Sequence, residues 1–189
     1  MDAVLSIFTA FGLSTAAGLN AYLPLLVVAL LARFTDLITL TSPWDTLESW
    51  WVIGALAVLA LIEALVDKVP AVDTVNDTIQ TFVRPVAGAI LFAAGSGVIG
   101  EAHPVLAMIC GLLAAGGVHA AKATARPVIT ATTAGTLNPV VSTLEDIVSV
   151  VVAVVSIVVP FLTVLLLLLV ILWIVRLRRR RREEVPSWW

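Results

Sequence analysis

Glu63 and Asp67 stand four residues apart near the end of an apolar run, and Asp73 and Asp77 repeat that spacing. Residues four apart share a helix face. A carboxylate inside a membrane segment is costly and by default points to function. Glu63 is suited to carrying a proton or pairing with a basic residue from another segment. The plainer reading is an interfacial carboxylate paired with Lys68 or Arg84. His119, Lys122 and Arg126 fall at i, i+3 and i+7, on one face if the helix continues past Ala121. They suit an anion or a phosphate headgroup; a solvated basic helix end is the plainer reading. Asn20 and Tyr22 lie beside Pro24, which lacks an N–H and would leave a carbonyl free at membrane depth. That pattern reads as a broken-helix binding site or a packed kink. These ten residues, Asn20, Tyr22, Glu63, Asp67, Asp73, Asp77, Arg84, His119, Lys122 and Arg126, are the candidate ion or substrate path. Glu63→Gln is expected to leave folding nearly intact. Glu145 and Asp146 read as acids at a helix start.

Catalysis and metal binding are poorly supported. One cysteine, Cys110, and two isolated histidines give no ligand spacing. Gly95-Ser96-Gly97 looks like a serine nucleophile turn, but small-residue packing explains it. Asp73 and Asp77 could hold Mg²⁺ over a lipid phosphate, an enzyme reading kept as an alternative. The expectation is no enzyme, no catalytic residue, no metal and no cofactor.

The elements that must position these residues are membrane helices. Of 189 residues, 60% are hydrophobic and 13% charged, with a mean hydropathy of +1.08. Soluble domains are about 25% charged, so a soluble domain, disorder and a disulfide scaffold are excluded. The sequence predicts an all-α integral membrane bundle of about six segments, some short, broken or re-entrant. Residues 1–175 form one domain; the basic tail 176–189 is expected to be disordered. Val4–Ala32 reads as one interrupted span and Val52–Val66 as the second. Residues 69–84 read as an amphipathic helix. Pro85 starts a third span, and Val105–Ala121 is the fourth. Residues 122–139 read as a linker. Val140–Val175, about 54 Å of helix at about 1.5 Å per residue, is too long for one crossing and is divided at Pro160.

Six of eleven basic residues lie in the tail, from Arg176 to Arg182. By the positive-inside rule the C-terminus is cytoplasmic, and the tail meets anionic lipid rather than nucleic acid. The acidic, Trp-bearing residues 34–50 belong outside and the N-terminus inside. Shifting the sequence by 99 residues lays 12–22 on 111–121 with Gly12/Gly111, Leu13/Leu112, Ala16/Ala115, Gly18/Gly117 and Ala21/Ala120 identical. This self-match predicts an inverted repeat of three plus three helices, with halves 4–100 and 105–175.

The segments GLNAYLPLL (18–26), DKVPAVD (67–73), TFVRPVAGA (81–89), HAAKATARP (119–127) and NPVVSTLED (138–146) resemble the small bacterial membrane-protein family named domain of unknown function 4126. Gln80 departs from the histidine such sequences often carry. The resemblance implies a multi-pass protein of the bacterial cytoplasmic membrane and brings no activity. The residues themselves favour a small transporter or channel for a small ion, an anionic solute or a phosphate-bearing headgroup. A non-transporting scaffold or assembly factor is the alternative. The lipid bilayer is the expected partner, and self-association stays open.

Overall fold

The computed structural model describes residues 3–67 and 70–160 and, beyond them, 162, 165, 169, 172 and 176; the side chains of residues 70–75, 77, 98 and 99 are not described. The described chain is helical, without a strand: α1 (Ala3–Leu19), α2 (Tyr22–Phe34), α3 (Trp50–Val66), α4 (Pro70–Gly95), α5 (Val98–Ala102), α6 (Pro104–Thr133) and α7 (Asn138–Val158), with a 3-10 turn at Trp44–Glu48. Thr78–Gly95 of α4, α6 and α7 are long and apolar enough to cross a membrane; α1, α2 and α3 are shorter apolar helices.

Burial is arranged inside out. The core is small or polar: Ala10, Ala16, Ala17, Ser14, Ala115, Ser142, Ser149 and Ala153 are fully covered or nearly so. Large apolar side chains face outward, with Trp51 90% exposed and Val105, Leu113, Ile79 and Phe82 also exposed. In water this surface would aggregate; in lipid it is the favourable face, and small residues let helices approach closely. On α4 the face carrying Gln80 and Arg84 turns inward and Ile79 and Phe82 turn out.

Contacts fix the helix directions. Along α4, Thr81 and Arg84 meet His119, while Gly88 and Phe92 meet Gly111; α4 and α6 are antiparallel. Ser14 Oγ–H donates to the Gly88 carbonyl at 2.8 Å, Phe11 meets Phe92 edge-on, and Gly97 lies beside Ser6, so α1 also opposes α4. Ser149 reaches Ala16 and Asp146 reaches Asn20, so α7 opposes α1. Helices α1 and α6 therefore run the same way, with Gly18 on Ala115 and Val118. The inverted relation predicted for 12–22 and 111–121 does not hold between these segments. Their identities are alanine, glycine and leucine, which any closely packed membrane helix collects.

Four further expectations are corrected. Residues 4–32 are not one crossing. The chain turns back at Asn20, and α2 brings residues 36–44 to the cavity lined by Ala3 and Ser6 near the start of α1. The N-terminal end of α1 and the 34–50 segment thus share one end of the bundle. Asn20 Oδ1 causes this by accepting from the N–H groups of Tyr22 and Leu23, which caps α2. Pro24 then sits in the first turn, where its missing N–H breaks nothing. Pro85 lies inside α4 and starts no span. Residues 122–133 continue α6 through Pro127 and are not a linker; the helix ends only at Ala134 and Gly135, both left-handed with φ 49° and 77°. Glu145 and Asp146 lie two turns into α7, not at its start. As expected, the last apolar stretch is divided: α7 stops before Val159 (φ −138°) and Pro160. Of the basic tail 176–189, only Arg176 is among the described residues, so the tail's expected disorder and lipid contact lie outside them.

Candidate functional site

At the end of the bundle where α1 turns into α2, each long helix delivers a polar side chain inward. Asn20 supplies the turn. Its amide Nδ2–H donates to Asp146 Oδ1 at 2.9 Å, while its Oδ1 caps α2. One side chain thus ties the α1–α2 turn to α7. Beside it, Lys122 Nζ donates to the Leu19 carbonyl at 3.1 Å, covering an end carbonyl of α1, and forms an ion pair with Glu145 Oε2 at 2.8 Å.

Two ionic groups lie next to this turn. In the first, Arg84 Nη2 meets Glu63 Oε1 at 3.0 Å, with side chains 0% and 1% exposed. Arg84 Nη1 lies 3.1 Å from His119 Nδ1, and His119 Nε2 lies 3.1 Å from Thr81 Oγ1. A guanidinium only donates, so Nδ1 is the acceptor. A neutral ring then carries its proton on Nε2, toward Thr81. In the second group, Arg126 bridges Asp67 Oδ2 at 3.4 Å and Glu145 Oε2 at 3.1 Å. Asp67 also accepts from Asn76 Nδ2 at 2.7 Å and from Ser142 Oγ at 3.4 Å. Tyr22, at the start of α2, faces Gln80 and Glu63.

The structure therefore brings together eight of the ten candidate residues: Asn20, Tyr22, Glu63, Asp67, Arg84, His119, Lys122 and Arg126. The side chains of Asp73 and Asp77 lie outside the described residues, and so does the Mg²⁺ reading that rests on them. Continuation of α6 past Ala121 is what places His119, Lys122 and Arg126 on one inward face. All three are buried, so they are not a solvated helix end. Glu63 faces the interior against Arg84, not lipid. Lys68 is outside the described residues.

Sequence reasoning missed the roles of Glu145 and Asp146, together with Ser142, Asn76 and Thr81. A period check on α7 carries the signal: Asn138, Ser142, Glu145, Ser149, Ala153 and Ser156 step by three or four and form its small, polar stripe.

Among the described residues the cluster holds four carboxylates (Glu63, Asp67, Glu145, Asp146) and three cationic side chains (Arg84, Lys122, Arg126). Each cation has a carboxylate within 3.4 Å. No grouping of three or more His, Cys, Asp or Glu with metal-site geometry occurs among the described residues. The arrangement can hold protons or exchange ion-pair partners; a free basic face for an anion is not among its features.

No curated protein and no solved structure matches the chain. The match that exists is to a family, over residues 7–180: the chain belongs to the family described as "Domain of unknown function (DUF4126)".

Proposed function

We propose that the protein is a small membrane transporter that moves a small ion through the interior of its helix bundle. The observation that carries this reading is Glu63. It is a carboxylate buried between helices, paired to Arg84, whose second nitrogen is engaged by His119. Buried ion pairs are weak devices for stability, and an apolar replacement is often as stable. In a bundle otherwise packed through alanine and glycine, such a pair adds little to stability over an apolar contact. The excess of carboxylates over cations favours a cationic species over an anionic solute or headgroup.

The proposed topology places the Asn20 end, with Arg84, Lys122 and Arg126, on the cytoplasmic side of the cytoplasmic membrane. The 34–50 segment and the start of α1 then lie outside. By the same rule the Arg tail is placed on the cytoplasmic side. Ion flux into vesicles containing the purified protein tests the function. Flux that Glu63→Gln abolishes supports it; no flux above empty vesicles overturns it.

A scaffold reading is favoured by one observation: every cation in the cluster has a carboxylate partner, as in a structural clasp. Polar thiol reagents separate the readings. Cysteines placed at Asn20 and Glu63 should react in a transporter and stay silent in a scaffold.

A further inference from the structure

Three buried polar atoms of the cluster meet no protein partner among the described residues: Glu63 Oε2, Gln80 Oε1 and Arg84 Nε. Their residues are at most 2% exposed. Gln80 and Arg84 are four apart on the inward face of α4, and Glu63 is bonded to Arg84 at 3.0 Å. The three atoms thus belong to one small region between α3 and α4, with Tyr22 of α2 facing it. Two of them only accept and the third only donates. A water molecule matches that set, accepting from Arg84 Nε–H and donating to the two oxygens. An alkali cation would suit the oxygens but would sit against the guanidinium and leave Nε–H unbonded. Chloride would suit Nε–H and face two oxygens. Reversing the Gln80 amide, which hydrogen-bonding alone assigns, still leaves a water with one acceptor and two donors around it.

We infer that Glu63, Gln80 and Arg84 bind a water molecule, and that the ion carried is the proton, taken up from that water by Glu63 Oε2. This rests on the transport reading above. In the step, a hydronium at the water site gives one proton to Glu63 Oε2. An O–H bond forms on the carboxyl, an O–H bond of the hydronium breaks, and neutral water remains. The carboxylate loses its charge and its attraction for Arg84, which keeps His119 Nδ1 as an acceptor. Release is the reverse transfer to a neutral water at this site, which becomes hydronium and leaves toward the opposite side. The groups that act on Glu63 are Arg84 from α4, Asp67 from its own helix, Lys122 from α6 and Tyr22 from α2; Gln80 meets Tyr22, His119 of α6 is held against Arg84, and Glu145 of α7 enters through Lys122.

The full chain in phosphatidylcholine–phosphatidylglycerol vesicles, with a potassium gradient, valinomycin and an internal pH dye, tests this. Wild type should acidify the lumen well above empty vesicles. Glu63→Gln should cut the rate at least tenfold. Gln80→Leu, which keeps the ion pair and removes one acceptor of the water, should cut it several-fold. Glu101→Gln, at the opposite end, should leave it unchanged. Sodium or chloride uptake, or potassium uptake measured without valinomycin, with no proton movement overturns the proton assignment and leaves the transport reading standing. Absence of any flux overturns the transport reading. The water site is then judged by infrared difference spectra across a pH titration. A protonated-carboxyl band present in wild type, absent in Glu63→Gln and shifted in Gln80→Leu supports it; no such band overturns it. If Glu63→Gln does not elute as a single folded species, Gln80→Leu decides both arms.

Discussion

At the Asn20 end of the bundle, helices meet through long charged side chains; toward the opposite end, the same helices meet through glycine, alanine and serine. Glu63, Arg84, Lys122, Arg126 and Glu145 reach across the gaps at the first end. At the other, Gly88 packs against Gly111 and Ala115, and Gly97 against Ser6. The difference shows where specificity sits in a protein surrounded by lipid. Apolar packing is available at either end, and lipid tails compete with it. Buried ions at one end tolerate only particular partners, so that end sets which helices neighbour which. The small-residue end supplies closeness and no freedom to exchange.

Removing one charge should have the largest effect. Arg84→Gln leaves Glu63 in the interior without its counter-ion. Breaking such a pair is worth about 3–5 kcal/mol, read as a lowered unfolding midpoint in detergent. Glu63→Gln has the same defect with the sign reversed. It keeps an acceptor toward Arg84 Nη2 but leaves the guanidinium unpaired, so the near-intact folding expected from the sequence gives way to destabilisation. The double variant should recover much of the loss, because no buried charge is left. A double variant as unstable as the sum of the singles would mean that the pair is not coupled.

At the other end, Gly111→Ala should destabilise by about 1–3 kcal/mol. Its new Cβ would fall on the Gly88 carbonyl oxygen and on Phe92 Cβ. Neither is the far end of a flexible side chain, so the helices themselves must part. If Gly111→Ala proves harmless while Arg84→Gln does not, the two ends differ in strength as well as in chemistry. Asn20→Ala comes next, at about 1–2 kcal/mol. It removes the cap of α2 and the bond to Asp146 together.

The helical class, the second span, the break near Pro160 and most of the cluster were legible because they rest on composition and on the four-residue period. Glu63 with Asp67, and His119 with Lys122 and Arg126, declare a shared face without any tertiary knowledge. The turn at Asn20 was not legible in the same way. Gly18, Asn20 and Pro24 mark an interruption, yet a kink and a reversal need the same residues. What decides is whether Asn20 Oδ1 caps a new helix, and that is a matter of three atoms. Pro85 and Pro127 misled in the opposite sense. Each removes one backbone hydrogen bond, and neighbouring helices hold the chain helical across it. The threonines and alanines of 122–133 look like a linker until Lys122 and Arg126 are seen to be anchored to Glu145 and Asp67. Glu145 and Asp146 were misplaced for the same reason, since a helix start was assumed close to them.

The smallest effect is expected at Gly54, and it sharpens the contrast among the glycines. Gly54 lies inside α3, and a Cβ built there meets nothing within 4 Å. The outward-facing residues around it, Trp51, Ala55 and Val58, are exposed. Among the described residues nothing approaches within 4 Å of that Cβ, so the close contact that makes alanine intolerable at Gly111 is missing there. What remains is backbone freedom, which glycine loses on entering a helix and alanine loses less of. Gly54→Ala should therefore raise stability slightly, by at most about 1 kcal/mol, and leave any flux unchanged. A loss of stability in detergent as large as that of Gly111→Ala would mean that the face around Gly54 is covered by another protein chain. Glycine packing would then extend beyond the bundle, and the separation of a charged end from a small-residue end would no longer describe how the helices are held.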